Sequence, residues 1–252
     1  MMIYQYRRSI DGTKNFGYFI DLLKDGKMKF GKPSEFNDPF DCCPSVIPHI
    51  SGSTLPDAAI DEVNRSRQSI VSAIYGIACF TTDPEKMLMW SHYGNQHRSL
   101  CVGFDSEILN KNIPLNDRGN PLYAGIDKVH YTNDRPTLQS NNYFNNKSSS
   151  WEYENEFRII SQEKRGSPSW GPGVFCLPVN SIKEVIIGAR VIPTMIEKIS
   201  VTVKRLAPNV KLKIAVPHPT KFDLKIISIK DFPNVARSSA VVSGANDNWH
   251  HT

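Results

Sequence analysis

The 252 residues carry 30 Lys and Arg against 25 Asp and Glu, a formal net charge of +5, with apolar and charged fractions ordinary for a soluble globular chain. The charge is spread along the chain without a dense basic run, so nucleic-acid binding is permitted but not argued for. No apolar stretch approaches the roughly 18 residues that a membrane span needs.

The opening MMIYQYRRSIDG lacks the basic, apolar, small-residue order of a signal peptide. Five cysteines, an odd number with no Cys-x-x-Cys spacing, read as reduced thiols, which predicts a cytoplasmic protein.

In chain order, Ile3 to Arg8 predicts a short first strand, with Tyr4 and Tyr6 on one face and Arg7 on the other with Ile3 and Gln5. Asn15 to Lys24 has apolar residues at helical spacing and stops at Asp25-Gly26, before a strand over Lys27 to Phe30. Gly26 to Lys32 nearly spells a phosphate-binding loop, but it ends in Pro33 where Ser or Thr should bind magnesium. The turn-rich segment Pro33 to Asp41 follows, and its Asn37-Asp38-Pro39 starts a turn. It either folds the chain back or forms a rigid loop that lines a pocket with Asn37 and Asp38.

Pro56 to Tyr75 has the clearest one-sided apolar stripe and predicts a helix. A buried strand follows over Ile77 to Thr81, then a short helical turn that ends near Gly94-Asn95 and a strand over Leu100 to Phe104. Trp90, His92 and Tyr93 cluster in that turn with His97. The two histidines are five apart, not the three or four of a helical metal pair. Such a cluster is more often core and hydrogen-bond anchor than ligand set.

Residues 105 to 127 read as a long connection, Lys128 to Thr132 as a strand, and Asn133 to Ser150 as a mobile Asn/Ser-rich loop up to Lys147. Lys147 to Ser161, KSSSWEYENEFRIIS, then predicts a strand with Glu152, Glu154, Glu156 and Arg158 on one face. Three carboxylates at period two repel one another, so they suit either a charged edge strand or a site that holds a carboxylate beside a cation. The remainder predicts a loop over 166–173, strands over 174–178, 182–191, 211–216 and 224–229, and a helix over 193–206 opened by Pro193. Residues 1–235 are expected to form one domain, and 236–252 a disordered tail.

There is no Gly-x-Ser-x-Gly, His-Glu-x-x-His or Gly-x-Gly-x-x-Gly. A nuclease could gather Asp38, Asp41, Glu154 and Glu156 around a metal. The Glu-x-Lys of one such nuclease core is absent, however, and Arg158 stands after Glu156 instead.

IYQYR, FGKPSEFNDPFD, CFT, MWSHYG, CVGF and K-x3-W-x2-E-x-E-x-R, in this order over residues 2 to 190, together resemble the bacterial and phage family DUF2971. The chain departs from it at Arg98-Ser99, where that family has a His-x-Gly continuation. The order of a basic first strand, an aromatic pocket and a Glu-x-Glu strand is also similar, more loosely, to the ADP-ribosyltransferase superfamily.

That second resemblance implies an α+β fold of two packed, mostly antiparallel sheets with peripheral helices, and an enzyme that cleaves NAD and transfers ADP-ribose. Glu156 would be catalytic, because a carboxylate stabilises the cation that develops on the ribose, and Glu154 would orient the target or water. Arg7 would contact NAD, with Tyr6, Asn37, Asp38, Trp90, His92, Tyr93 and Arg158 around the cofactor and no metal. A toxin or phage-defence effector with a macromolecular target and a regulatory or immunity partner is the implied role. The superfamily's polar Ser/Thr motif has no clear counterpart, Ser34 or Thr81 standing nearest. A non-catalytic nucleotide- or protein-binding sensor and a metal-dependent nuclease remain the other readings.

Overall fold

A computed structural model describes residues 1–44, 56–115, 121, 123–136, 143–162 and 173–232. In chain order these form β1 (Met2–Tyr6), α1 (Gly12–Asp25), β2 (Lys27–Phe30), α2 (Asp57–Ile74), β3 (Tyr75–Thr81), α3 (Met87–Tyr93) and β4 (Leu100–Asp105). Then come α4 (Ser106–Lys111), β5 (Ile126–Lys128), β6 (His130–Thr132), β7 (Asn146–Ser148), a 3-10 turn (Ser149–Glu154) and β8 (Glu156–Gln162). The chain continues through β9 (Gly173–Cys176), β10 (Ile182–Ile187), α5 (Pro193–Leu206), β11 (Lys211–Pro217) and β12 (Leu224–Ser228).

The expected α+β class is borne out, with mostly antiparallel pairing. The strands do not divide into two comparable packed sheets. One eight-stranded sheet runs β12-β11-β10-β4-β1-β3-β8-β5, and two ribbons, β2-β9 and β6-β7, stand beside it. Within the large sheet only β10 and β11 are parallel, and α5 makes the crossover that a parallel pair requires.

Side-chain alternation splits this sheet into two different faces. Ile3, Ala78, Phe80, Leu100, Val102, Phe104, Ile159, Val185, Ile187 and Ile214 point one way and share a core with Phe16, Phe19, Leu22 and Leu23 of α1 and Ile199 and Val203 of α5. Each such large side chain, once buried, contributes about 1.5–3 kcal/mol. The next residues along each strand point the other way. There Tyr6, Cys101, Ile186, Ala215 and Leu224 meet Met89 and Trp90 of α3. Farther along that second face lie Thr81, Glu156 and Arg158, placed by the pairings Tyr4 with Thr81, Thr81 with Glu156 and Cys79 with Arg158.

Local chemistry sets the element ends. α1 stops at Gly26, whose φ of 69° suits glycine and where a Cβ would lie 1.9 Å from the Leu177 carbonyl oxygen. Gly26 therefore turns the chain into β2 rather than cradling a phosphate. The connection expected over 105–127 contains a helix: the Asp105 side chain accepts from the amides of Glu107 and Ile108 and starts α4. The strand expected over Lys147 to Ser161 is also corrected. Its first part is β7 and the 3-10 turn, and Asn155, at φ 42°, breaks the chain before β8 begins at Glu156.

All five cysteines are free thiols. Cys176 is exposed, whereas burial pushes the Cys42, Cys79 and Cys101 thiols well above their ordinary pKa. A thiol reagent should therefore label one equivalent quickly in the native protein and five after unfolding. Rapid modification of two or more native thiols would contradict this burial. No helix among the described residues is long and apolar enough to cross a membrane. The expected 236–252 tail and most of the 166–173 loop lie outside the described residues.

Candidate functional site

Arg158 organises the site. It projects from β8 with no exposed surface, and a buried guanidinium must find an acceptor for each of its five N–H groups. Nε donates to Glu156 Oε1 at 2.7 Å and Nη2 to Glu156 Oε2 at 3.0 Å. Nη1 and Nη2 donate to the two oxygens of Asp41, each at 2.8 Å, and Nη1 reaches the Phe144 carbonyl at 2.6 Å and Cys42 Sγ at 3.2 Å. Two carboxylates thus take one guanidinium from two sides, the paired-fork geometry in which arginine differs from lysine.

A second cation completes the cluster. Lys147, from β7, donates to Glu154 Oε2 at 2.5 Å and to Glu156 Oε2 at 3.0 Å, and lies 3.6 Å from Asp41 Oδ2. Three carboxylates and two cations are therefore packed together and almost fully buried. Burial pushes the Glu156 carboxyl up, but Arg158 and Lys147 outweigh it and hold the group at about 2. For Glu154 burial prevails over Lys147, and its pKa is raised. Burial pushes Lys147 down, and Glu156, Asp41 and Glu154 together more than reverse that.

The cluster communicates with the surface through Tyr93. Its hydroxyl donates to Glu154 Oε1 at 2.6 Å and also lies 3.3 Å from Asn37 Oδ1. Above it opens a cleft of about 450 Å³, lined by Arg8, Glu35, Asn37, Ser91, His92, Tyr93, Asn95 and Gln96. The turn on its rim is strained. Asn95, Gln96 and His97 all have positive φ, at 50°, 55° and 68°, a conformation that side chains with a Cβ rarely adopt and that costs about 1–3 kcal/mol each. Asn95 Nδ2 bonds Asp11 Oδ2 at 3.2 Å, the His97 amide bonds the Trp90 carbonyl at 3.2 Å, and the Arg190 amide bonds the His97 carbonyl at 2.9 Å. Burial, helped by Arg190, lowers the pKa of His97.

The expected residues separate into three groups. Glu154, Glu156 and Arg158 come together, though in ion pairs rather than facing solvent. Asn37, His92 and Tyr93 line the cleft. The rest lie apart: Trp90 is fully buried, gives its indole N–H to the Pro84 carbonyl and takes Tyr6 edge-on at 4.9 Å. Asp38 is buried and accepts from the Phe40 amide at 2.9 Å, which folds the loop that delivers Asp41. Arg7 bonds Gln5 at 3.1 Å, and burial lowers its pKa, while the cation in the cleft is its neighbour Arg8.

Lys147, Asp41 in its role as anchor, and Arg8 were not foreseen as site residues. Lys147 had a signal, since it opens K-x3-W-x2-E-x-E-x-R. Asp41 closes FGKPSEFNDPFD, but nothing in the sequence paired it with Arg158, 117 positions away. Of the carboxylates that a metal-dependent nuclease would need, Asp41 and Glu156 accept from Arg158 on both oxygens, Glu154 accepts from Lys147 and the Tyr93 hydroxyl, and Asp38 accepts from the Phe40 amide. Among the described residues no group of three or more His, Cys, Asp or Glu side chains is arranged to hold a metal ion.

From Met89 to Ile159 the chain supplies most of α3 together with Lys147, Glu154, Glu156 and Arg158, which are the whole ion-pair cluster except Asp41. This is the segment that a family model matches. Residues 89–159 match the family described as "Protein of unknown function (DUF2971)". The DUF2971 match bears out the family resemblance drawn from the motifs and is centred on the cluster and the cleft wall. No curated protein and no solved structure matches the chain.

Proposed function

We propose that the cleft binds a nucleotide. The observation that carries this reading is a polar opening of about 450 Å³ lined by Tyr93, whose hydroxyl holds the buried Glu154 behind it, and walled by Arg8, Glu35 and His92. That volume falls in the range of small-ligand sites. Arg8 and His92 suit phosphate oxygens, and Asn37, Asn95 and Gln96 supply the directional amide groups that fix a ribose or base. The buried cluster beneath serves as a rigid foundation for Tyr93.

One observation favours a catalytic reading: Glu154 is a buried carboxyl only one hydroxyl away from the cleft. In an ADP-ribosyltransferase-like enzyme that cleaves NAD, a shift of Tyr93 toward Asn37 frees Glu154 to stabilise the cation forming on the ribose. Glu156 is less suited to that part, because both of its oxygens already accept from Arg158 and one also accepts from Lys147. A toxin or phage-defence effector acting on a macromolecular target belongs to this second reading.

Calorimetric titration with NAD and AMP, together with an assay for released nicotinamide, tests both. Arg8→Ala should weaken nucleotide binding about tenfold without altering the melting temperature, since an exposed side chain loses one charge-assisted contact. If the protein turns NAD over, Glu154→Gln should slow release about a hundredfold. Binding without turnover supports the sensor, and absence of nucleotide binding removes both readings.

A further inference from the structure

Beyond the rim at His92 stands an aromatic group that neither the cluster nor the cleft floor uses. Trp151 and Tyr153, from the 3-10 turn, are half-buried, and His92, from α3, is exposed. The three ring centroids lie 6.1–6.2 Å apart, and His92 Nδ1 is 3.0 Å from the Tyr153 hydroxyl. Tyr153 also packs against the Tyr6–Trp90 core cluster, and the Lys147 ammonium lies 5.1 Å from the Trp151 ring centroid. The platform is therefore held from below on both sides while its rings remain accessible.

We propose that Trp151, Tyr153 and His92 form the ring-binding subsite of the cleft and take the planar heteroaromatic base of a nucleotide. This rests on the nucleotide reading of the cleft. Three facts choose a flat ring over other ligands. Partly exposed tryptophan and tyrosine offer stacking area at small entropic cost, and stacking tolerates any π-face. An aromatic cage for a cation is disfavoured because the Lys147 ammonium, 5.1 Å from the Trp151 ring centroid, already occupies one ring and repels further positive charge. A purely structural role fits poorly, since the second sheet face already has its core aromatics in Tyr6 and the fully buried Trp90. His92 belongs to both the platform and the cleft, so a base on the platform places its sugar and phosphate toward Arg8.

The experiment compares AMP, adenosine and ribose 5-phosphate by calorimetry and tryptophan fluorescence, on the full chain and on Trp151→Ala and Trp151→Phe. AMP should bind the parent at least tenfold more tightly than ribose 5-phosphate does, an advantage that Trp151→Ala abolishes and Trp151→Phe largely restores. If the alanine variant does not fold, Trp151→Leu keeps apolar bulk over Lys147 and removes only the flat ring. An AMP preference that survives loss of the indole overturns the platform and leaves the nucleotide cleft standing. Adenosine binding that depends on Trp151 but gains nothing from a phosphate supports the platform and overturns the cleft. Absence of binding by all three probes overturns both.

Discussion

Replacement of Arg158 by methionine is expected to destabilise the protein by about 3–5 kcal/mol, the usual cost of removing one partner from a buried ion pair. For a chain of this length that corresponds to roughly 6–20 °C in melting temperature. The reason lies less in the bonds lost than in what they leave behind. Asp41 would keep only the weak Cys42 thiol donor at 3.3 Å and a contact at 3.6 Å to Lys147, and Glu156 would lose both of its donors from Arg158, all within a dry interior. Arg158→Lys should rescue little, because one ammonium cannot serve two forks and the Phe144 carbonyl together. Combining Asp41→Leu with Arg158→Met removes one unpaired charge and should recover part of the loss. Denaturant unfolding of the two single variants and the double variant measures this. Losses that simply add would show that packing, not unpaired charge, is what Arg158 provides.

Much of the fold could be read from local pattern. The stripe in 193–206 and the Asp-Gly stop after α1 are short-range signals, and both elements form as expected. α4 was missed although Asp105-Ser-Glu carries its N-cap, because six residues give too short a stripe to register. The acidic segment misled for a different reason. Alternation of Glu152, Glu154, Glu156 and Arg158 fits a strand, yet the aromatic 3-10 turn and the left-handed Asn155 divide it. Asparagine tolerates that conformation better than most residues, and in YENEF it was the only mark of the break. Glu154 and Glu156 still converge, but because Lys147 bridges them rather than because they share a strand face. Partners that meet only through tertiary packing, such as Asp41 with Arg158, leave no trace in local periodicity.

The two glutamates, though equally acidic in the sequence, should respond oppositely to the same substitution. Both oxygens of Glu156 accept from cations, so the NH2 of Glu156→Gln must face the N–H groups of Arg158 or Lys147. Its carboxyl sits near 2 rather than the ordinary 4.5, which is worth about 3 kcal/mol at neutral pH, and that should be lost in the variant. Glu154 differs: Oε2 accepts from Lys147, but Oε1 meets a hydroxyl that can turn. In Glu154→Gln the amide can donate to the Tyr93 oxygen while Tyr93 donates to Asn37, 3.3 Å away, and the cluster's excess negative charge disappears. Its stability at pH 7 should stay within about 1 kcal/mol of the parent or rise. Acid separates them further. A depressed folded pKa stabilises above the unfolded value of 4.5 and loses that contribution as pH falls toward 2, so this acid-induced loss should shrink in Glu156→Gln. The raised pKa of Glu154 does the reverse: its burial cost is relieved as the group protonates, and that gain on acidification should be absent from Glu154→Gln. Unfolding free energies between pH 2 and 7 resolve the two profiles, and equal destabilisation by both variants at pH 7 would contradict the distinct partners of the two carboxyls.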